Sequence, residues 1–513
     1  MKKLMKILAV ICALTLLAGM MSVSAMAEPK TGGVLKFAIG GTYNNAGYPV
    51  GAAGQGKWLS LPAVESLGRY DENGKVVGWL AKEIQVDPAG LTITLKLEEG
   101  IQFHDGTPFN AQAVCDVWNI YLENGNGTSF FANVDSFEAT DEYTVLVKLK
   151  QWSTSIVSNL CVECGYMISP AEYAKVGLES IYTDICGTGP FKMESYDVTS
   201  GIVYVKNENY WVEGKPYLDG IEMIFCNDGT TAENIFKSGE ANLLYGTSAE
   251  QASRFERDGI ELIFNPSCLS PTHTGIFFAS GNQDDPISDL RVRKAFCHAI
   301  DKQALADVFT YGLGTISSQI AVPGTKEYNP DVTGYEYNPE KAKELLKEAG
   351  YGEGECKITF YYQPNEEDMF VAIKGMLENS GFAVEGDTRT GAENRIIYGT
   401  SDPYTCCTIF YAPTTVDNWW RYFSEKPFTY AVNTIDMAEA GIVEVYNKCM
   451  SALTDEEQHD AMMQLQVLVT ENCVYCPLYS APVMIIASDG TVHDHELGQI
   501  YHLQWRPENT WMD

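Results

Sequence analysis

Beyond its N-terminal segment the chain has no stretch approaching eighteen uninterrupted apolar residues, the length that marks a helix able to span a bilayer. The remainder is therefore expected in water. Basic residues are scarce, with 35 Lys and Arg against 68 Asp and Glu and a formal charge of −33. Phosphate backbones and anionic lipid surfaces are held by clustered Lys and Arg, so neither nucleic acid nor a membrane surface is an expected partner. Seven histidines lie scattered without an H-x-x-x-H spacing, which leaves no metal site to predict. The G-x-S-x-G elbow and the H-E-x-x-H pattern are missing, and Gly187-Thr188-Gly189-Pro190 lacks the Gly-Lys-Ser/Thr ending of a phosphate loop. No catalytic residue and no cofactor is expected. Repeats, low-complexity tracts and long flexible linkers are lacking too. A chain of 513 residues is too long for a single compact core, so two or three lobes are expected, with the chain crossing between them more than once.

What is present begins with a leader. Lys2, Lys3 and Lys6 precede an apolar run from Leu8 to Met21, and Ala25-Met26-Ala27 follows, the layout of a secretory signal cut before Glu28. Leu17-Ala18-Gly19 is followed by Met20 rather than Cys, so no lipid anchor is expected. The mature chain is placed outside the cytoplasm. Of the fourteen cysteines one, Cys12, lies in the leader, leaving an odd number. Cys161/Cys164 and Cys473/Cys476 have C-x-x-C spacing but lie too far apart for a zinc ribbon. Buried thiols, one or more disulfides, and a metal or redox role stay open as readings.

Strands and capped helices interleave. Gly33 to Ile39 and Leu91 to Leu97 alternate as half-buried strands, and Cys476-Pro477-Leu478-Tyr479 reads as entry into another. Asn110 caps a helix from Ala111 to about Leu122, Asp289 opens one continuous helix from Leu290 to Tyr311, Asn338-Pro339 starts the next, and Thr454 starts a helix to Thr470. The fold class is mixed α/β.

Several stretches resemble one family. Gly100-Ile101-Gln102-Phe103-His104-Asp105-Gly106-Thr107-Pro108-Phe109, Gly187-Thr188-Gly189-Pro190-Phe191-Lys192, Asn207-Glu208-Asn209-Tyr210-Trp211 with Lys215-Pro216-Tyr217-Leu218-Asp219-Gly220-Ile221, and Cys476-Pro477-Leu478-Tyr479 are similar, in order, to motifs of the extracellular solute-binding proteins of family 5. Those proteins serve ABC importers of peptides, dipeptides and nickel complexes. The resemblance implies a two-lobed periplasmic-binding-protein-like fold (type II, cluster C) with an extra domain. Residues 28–66, 187–285 and 485–513 would form lobe one, 67–186 the extra domain and 286–484 lobe two. It implies a monomer that closes over its ligand and docks on permease subunits. Asp-Gly followed by Thr-Pro is turn chemistry, so His104 and Asp105 are read as structural.

The peptide binders of this family hold the ligand's α-amino group with an Asp in a trp-x-asp-tyr segment. Aligned on Asp417-Asn418-Trp419-Trp420, that stretch is here Phe410-Tyr411-Ala412-Pro413, with Ala412 where the acid would stand. A buried amine without a carboxylate is costly, so either Asp417 substitutes or the cargo lacks a free amine. Expected ligand-binding residues are Tyr43 and Asn44 after the first strand, His273 at the approach to lobe two, and Phe410, Tyr411, Asp417, Trp419 and Trp420. Of the adjacent pair Trp419 and Trp420, one faces the cleft. A peptide or peptide-sized ligand is expected, with an oligosaccharide or other amine-free solute as the alternative.

Overall fold

The computed structural model describes residues 28–513 apart from 42, 44–45, 47–53, 72–73, 125–127, 182, 265–270, 281–283, 389–404, 413–418, 420–422, 424–435, 483–484 and 498–504. The chain opens with β1 (Val34–Gly40) and leaves at once for a side body. There it lays down β2 (Gly68–Tyr70), β3 (Val76–Gly78), β4 (Ala81–Asp87), β5 (Thr92–Leu97), β6 (Val134–Asp141) and β7 (Thr144–Leu149). It returns beside β1 with β8 (Phe191–Asp197), β9 (Gly201–Lys206), β10 (Gly220–Cys226), β11 (Leu243–Tyr245) and β12 (Glu261–Ile263). A second body takes β13 (Pro271–Ser280), β14 (Thr315–Ile316), β15 (Cys356–Tyr362), β16 (Phe382–Thr388), β17 (Thr405–Ala412) and β18 (Tyr475–Pro482). The chain then comes home with β19 (Ile486–Ser488), β20 (Val492–His493) and β21 (Trp511–Met512).

Among the described residues three large sheets follow from this route, besides the two-stranded ladders β2-β3 and β20-β21. One has the order β12-β19-β11-β1-β10-β9-β8, one the order β14-β18-β13-β17-β15-β16, and the side body an antiparallel β4-β5-β7-β6. β13 belongs to the second sheet, paired on both sides by β17 and β18. The expected lobe-one stretch ending at residue 285 is therefore too long: the crossing falls before Pro271, because a strand with two neighbours cannot be peeled into the other lobe. Among the described residues the side body shares its core with lobe one. Leu95, Trp118 and Val147 join Leu35, Phe37 and Ile221 in one contiguous apolar cluster. The second sheet is covered on both faces, since along β13 Ile276 and Phe278 enter one core while Phe277 enters another.

Caps define the helices. Asn110 accepts the Ala113 amide at the start of α1 (Ala111–Glu123). Asp228 and Ser248 cap α2 (Gly229–Lys237) and α3 (Ala249–Arg257). The helix expected to run unbroken from Leu290 to Tyr311 is two, α4 (Leu290–Ala299) and α5 (Lys302–Phe309). Ile300 is extended, and Asp301 turns its carboxylate onto the Ala304 amide, the competition with helix backbone that makes Asp a cap rather than an interior residue. In the second body α6 (Pro339–Glu348), α7 (Glu367–Asn379), α8 (Ile442–Ser451) and α9 (Asp455–Glu471) complete the layers.

A buried ionic knot ties the C-terminal segment of lobe one to the start of the side body. Arg69 donates to Glu508 at 2.6 Å and lies 3.6 Å over the ring of Trp79. Glu65, 2% exposed, accepts from Trp79 (2.8 Å), Tyr210 (2.7 Å) and Trp211 (3.1 Å). Every carboxylate oxygen left unpaired here would be costly, which is why three aromatic donors converge on one acid.

Candidate ligand cleft

In open α/β sheets ligands gather outside the carboxyl ends of parallel strands. β1 runs parallel to β10 and β11, and the register aligns Ile263, Ile486, Tyr245, Ile39 and Phe225 across that edge. Both crossings depart from it, one after Ile263 and one before Ile486. They meet the second sheet where Pro271 pairs with Pro482. Two residues further, His273 lies opposite Ser480 on one side and Ala412 on the other. Ala412 is the carboxyl end of β17, which runs parallel to β15. The carboxyl edges of both sheets thus share one hinge, and the space between them is the candidate cleft.

On the lobe-one edge the rings stack. Trp58 and Tyr245 are 4.0 Å apart and near-parallel, while Tyr43 tilts over Phe225 at 5.4 Å. The carbonyl of Tyr43 accepts the Tyr196 hydroxyl, which fixes the loop after β1, and burial pushes the Tyr43 phenol above its ordinary value. Trp58 is 2% exposed and its indole N–H has no partner among the described residues, a donor that a ligand carbonyl or a water would satisfy. Trp58, Phe225 and Tyr245 were not foreseen. Their signal was positional: Phe225 and Tyr245 sit at the ends of short apolar strands just ahead of the capping residues Asp228 and Ser248.

On the lobe-two edge the register sets Phe410 opposite Gly275, Tyr411 opposite Thr274 and Ala412 opposite His273, so three of the expected positions are backbone neighbours. Gly275 is required here, since a Cβ would run into the Tyr475 hydroxyl. Asn44, Asp417 and Trp420 lie outside the described residues. Trp419 corrects the expectation for it. It is fully buried against Phe423, Phe277 and Ile442 in the second body's core, because a ring of that size gains most from complete apolar enclosure. Among the described residues no group of three or more His, Cys, Asp and Glu has the geometry to hold a metal ion, and no helix is long and apolar enough to cross a membrane.

The His104 motif welds the side body to the segment that returns from it to β8. His104 Nε2 donates to the Gly189 carbonyl at 2.9 Å and its amide to Gly187, while Lys192 caps the His104 carbonyl. Asp105 accepts from Thr107 and Ser169. Gly187 and Gly189 pack against the backbone of Pro62 and Ala63, where any Cβ would collide. These are joints of the scaffold and not ligand groups.

A family model, bacterial extracellular solute-binding proteins, family 5, middle region, matches residues 75–406. Among curated proteins the chain is 32% identical over 298 residues to the glutathione-binding protein GsiB of Pectobacterium atrosepticum and 33% identical over 294 residues to that of Escherichia coli. In each case the match covers 56% of this chain and 56% of the relative. Among solved structures it resembles the substrate-binding protein CtaP of Listeria monocytogenes (TM-score 0.80, 19% identity, 94% and 100% of the two chains). It also resembles DppA of Helicobacter pylori, bound to the peptide STSA (TM-score 0.72, 19% identity, 94% and 98%). The two-sheet, two-crossing architecture and these matches agree: the chain belongs to family 5 of the bacterial extracellular solute-binding proteins.

Proposed function

We propose that this protein is the extracytoplasmic ligand-capturing subunit of an ABC importer, holding a peptide or peptide-sized solute between two lobes that close about the paired crossings. The observation that carries the reading is the shared hinge: the carboxyl edges of both sheets, with the aromatic positions of lobe one and the Phe410-Tyr411-Ala412 end of β17, meet where the chain crosses twice. A ligand touching both edges stabilises the closed form by its differential affinity. The protein works as a non-enzymatic monomer, exported by its leader, and the closed form is what the permease recognises. The relatives named for glutathione and the neighbour bound to STSA support a short peptide as cargo.

Ala412 supports a second reading, an oligosaccharide or other solute without a free amine. A thermal-shift screen of the chain from Glu28 against di- to pentapeptides, glutathione, oligosaccharides and nickel chelates separates them. A ligand at a hundredfold over its Kd stabilises by about 2.7 kcal/mol. The peptide reading predicts a rise with peptides or glutathione and recovery of the ligand unaltered. A rise with sugars alone would replace it with the second reading, and turnover of the ligand would overturn both.

A further inference from the structure

Three thiols converge in the second body, outside the cleft. Cys297 lies on α4, Cys473 in the turn after α9, and Cys476 on β18. All three are fully buried. The sulfurs of Cys297 and Cys473 stand 3.3 Å apart, a contact that only a small movement converts into a bond, and Cys476 is buried in the same apolar cluster. The turn carrying Cys473 is held rigidly. Cys473 has a left-handed backbone, φ +46°, and the buried Arg293 donates to the carbonyls of Cys473 (3.2 Å) and Asn472 (3.1 Å) as well as to Ile287 and Ser288. The thiolate is the nucleophile of exchange, and in the folded chain burial pushes the Cys297 thiol well above its ordinary value, so exchange belongs to the chain before this core has closed.

We propose that Cys297 and Cys473 are a disulfide-forming pair, with Cys476 as a third thiol that can exchange into the bond. The oxidant is a low-molecular-weight disulfide. One protein thiolate attacks it, forms a mixed disulfide and expels one small thiolate. The second protein thiolate then attacks the protein sulfur of that mixed disulfide and expels the other small thiolate. The two protons from the protein thiols end on the two small thiols, so the protein loses two electrons and the small disulfide gains them. Burial dictates when this happens: the oxidant reaches the sulfurs while α4 and β18 are still assembling, as in a chain folding outside the cytoplasm. The closed bond ties α4 to the start of β18, the strand from which the chain crosses back to lobe one.

The test is to refold the full mature chain with bis(2-hydroxyethyl) disulfide, alkylate the remaining thiols, and map peptides without reduction after chymotryptic cleavage, which parts Cys473 from Cys476 at Tyr475. The expected result is a loss of two alkylatable thiols, one Cys297–Cys473 crosslink, and a higher melting temperature than the reduced chain. Cys473→Ser should move the crosslink to Cys476, and Cys297→Ser should abolish it. Full alkylation of the wild-type chain, or crosslinks that leave out Cys297, would overturn the proposal. The wild-type map decides even where a variant fails to fold.

Discussion

At the scale of residues, His104 shows how a motif that looks chemical is mechanical. Burial, ahead of the opposing hydrogen bond to Gly189 and the repulsion from Lys192, pulls its imidazole from an ordinary 6.5 down to about 4. Nε2 carries the proton given to the Gly189 carbonyl, and Nδ1 is buried with no partner among the described residues, so a second proton would sit unsolvated. Because the folded value is depressed, the unfolded chain takes up a proton below 6.5 that the folded chain refuses until about 4. Stability is complete above that window and falls as pH drops through it, by on the order of 2–3 kcal/mol. Asp105, the nearest acid, titrates below the window, its carboxyl held down by Ser169 and Thr107 against the cost of burial. Denaturant midpoints of wild type and His104→Gln, measured from pH 7 to 4, check this: the variant keeps the Nε2 donor and should lose most of the slope. An equal slope in both would assign it to other groups. The Asp-Gly-Thr-Pro turn was legible in sequence. The carbonyls of Gly187 and Gly189 were not, because they lie more than eighty residues away along the chain.

At the scale of elements, capping chemistry was the most legible layer. Asn110, Asn338 and Thr454 each accept the amide three residues on, a local interaction that needs no tertiary information. The same chemistry was overlooked at Asp301, where an apolar stripe suggested continuity and the cap imposed a break. Asp301→Ala should cost about 1 kcal/mol, read as a lower denaturant midpoint with an unchanged slope. No loss would mean that the extended Ile300, fixed in the core, divides the helices unaided. The cleft was half legible. Tyr43 and the end of β17 follow from strand ends, whereas the stacking of Trp58 on Tyr245 joins two segments that only the β1–β11 pairing brings together. Trp419 could not be told from Trp420 by neighbourhood, since one of any adjacent pair must turn to the core.

At the scale of the whole molecule, the two bodies touch at a second place besides the hinge. The segment 152–154 of the side body donates to the end of α8: Trp152 Nε1 to Ala452 at 2.8 Å, and Thr154 through its amide to Met450 at 2.8 Å and its hydroxyl to Cys449 at 3.4 Å. A helix C-terminus has carbonyls with no partner of its own and a negative dipole end, so donors from the opposite body are well placed there. Lys75 and Asp455, 3.9 Å apart and largely exposed, add little. Hydrogen bonds made only when the bodies approach bias the open–closed balance without touching the ligand. Trp152→Phe keeps the ring and removes one such bond, a loss of about 1 kcal/mol. Because apparent affinity scales with the closed-competent fraction, ligand should bind about fivefold more weakly, and small-angle scattering of the free chain should shift toward a larger radius. The chain from Glu28, titrated calorimetrically with whichever ligand the thermal screen selects, checks the affinity. An unchanged Kd together with an unchanged radius would mean that the side body rests against α8 in the open and closed forms alike, and closure would then turn on the paired crossings alone.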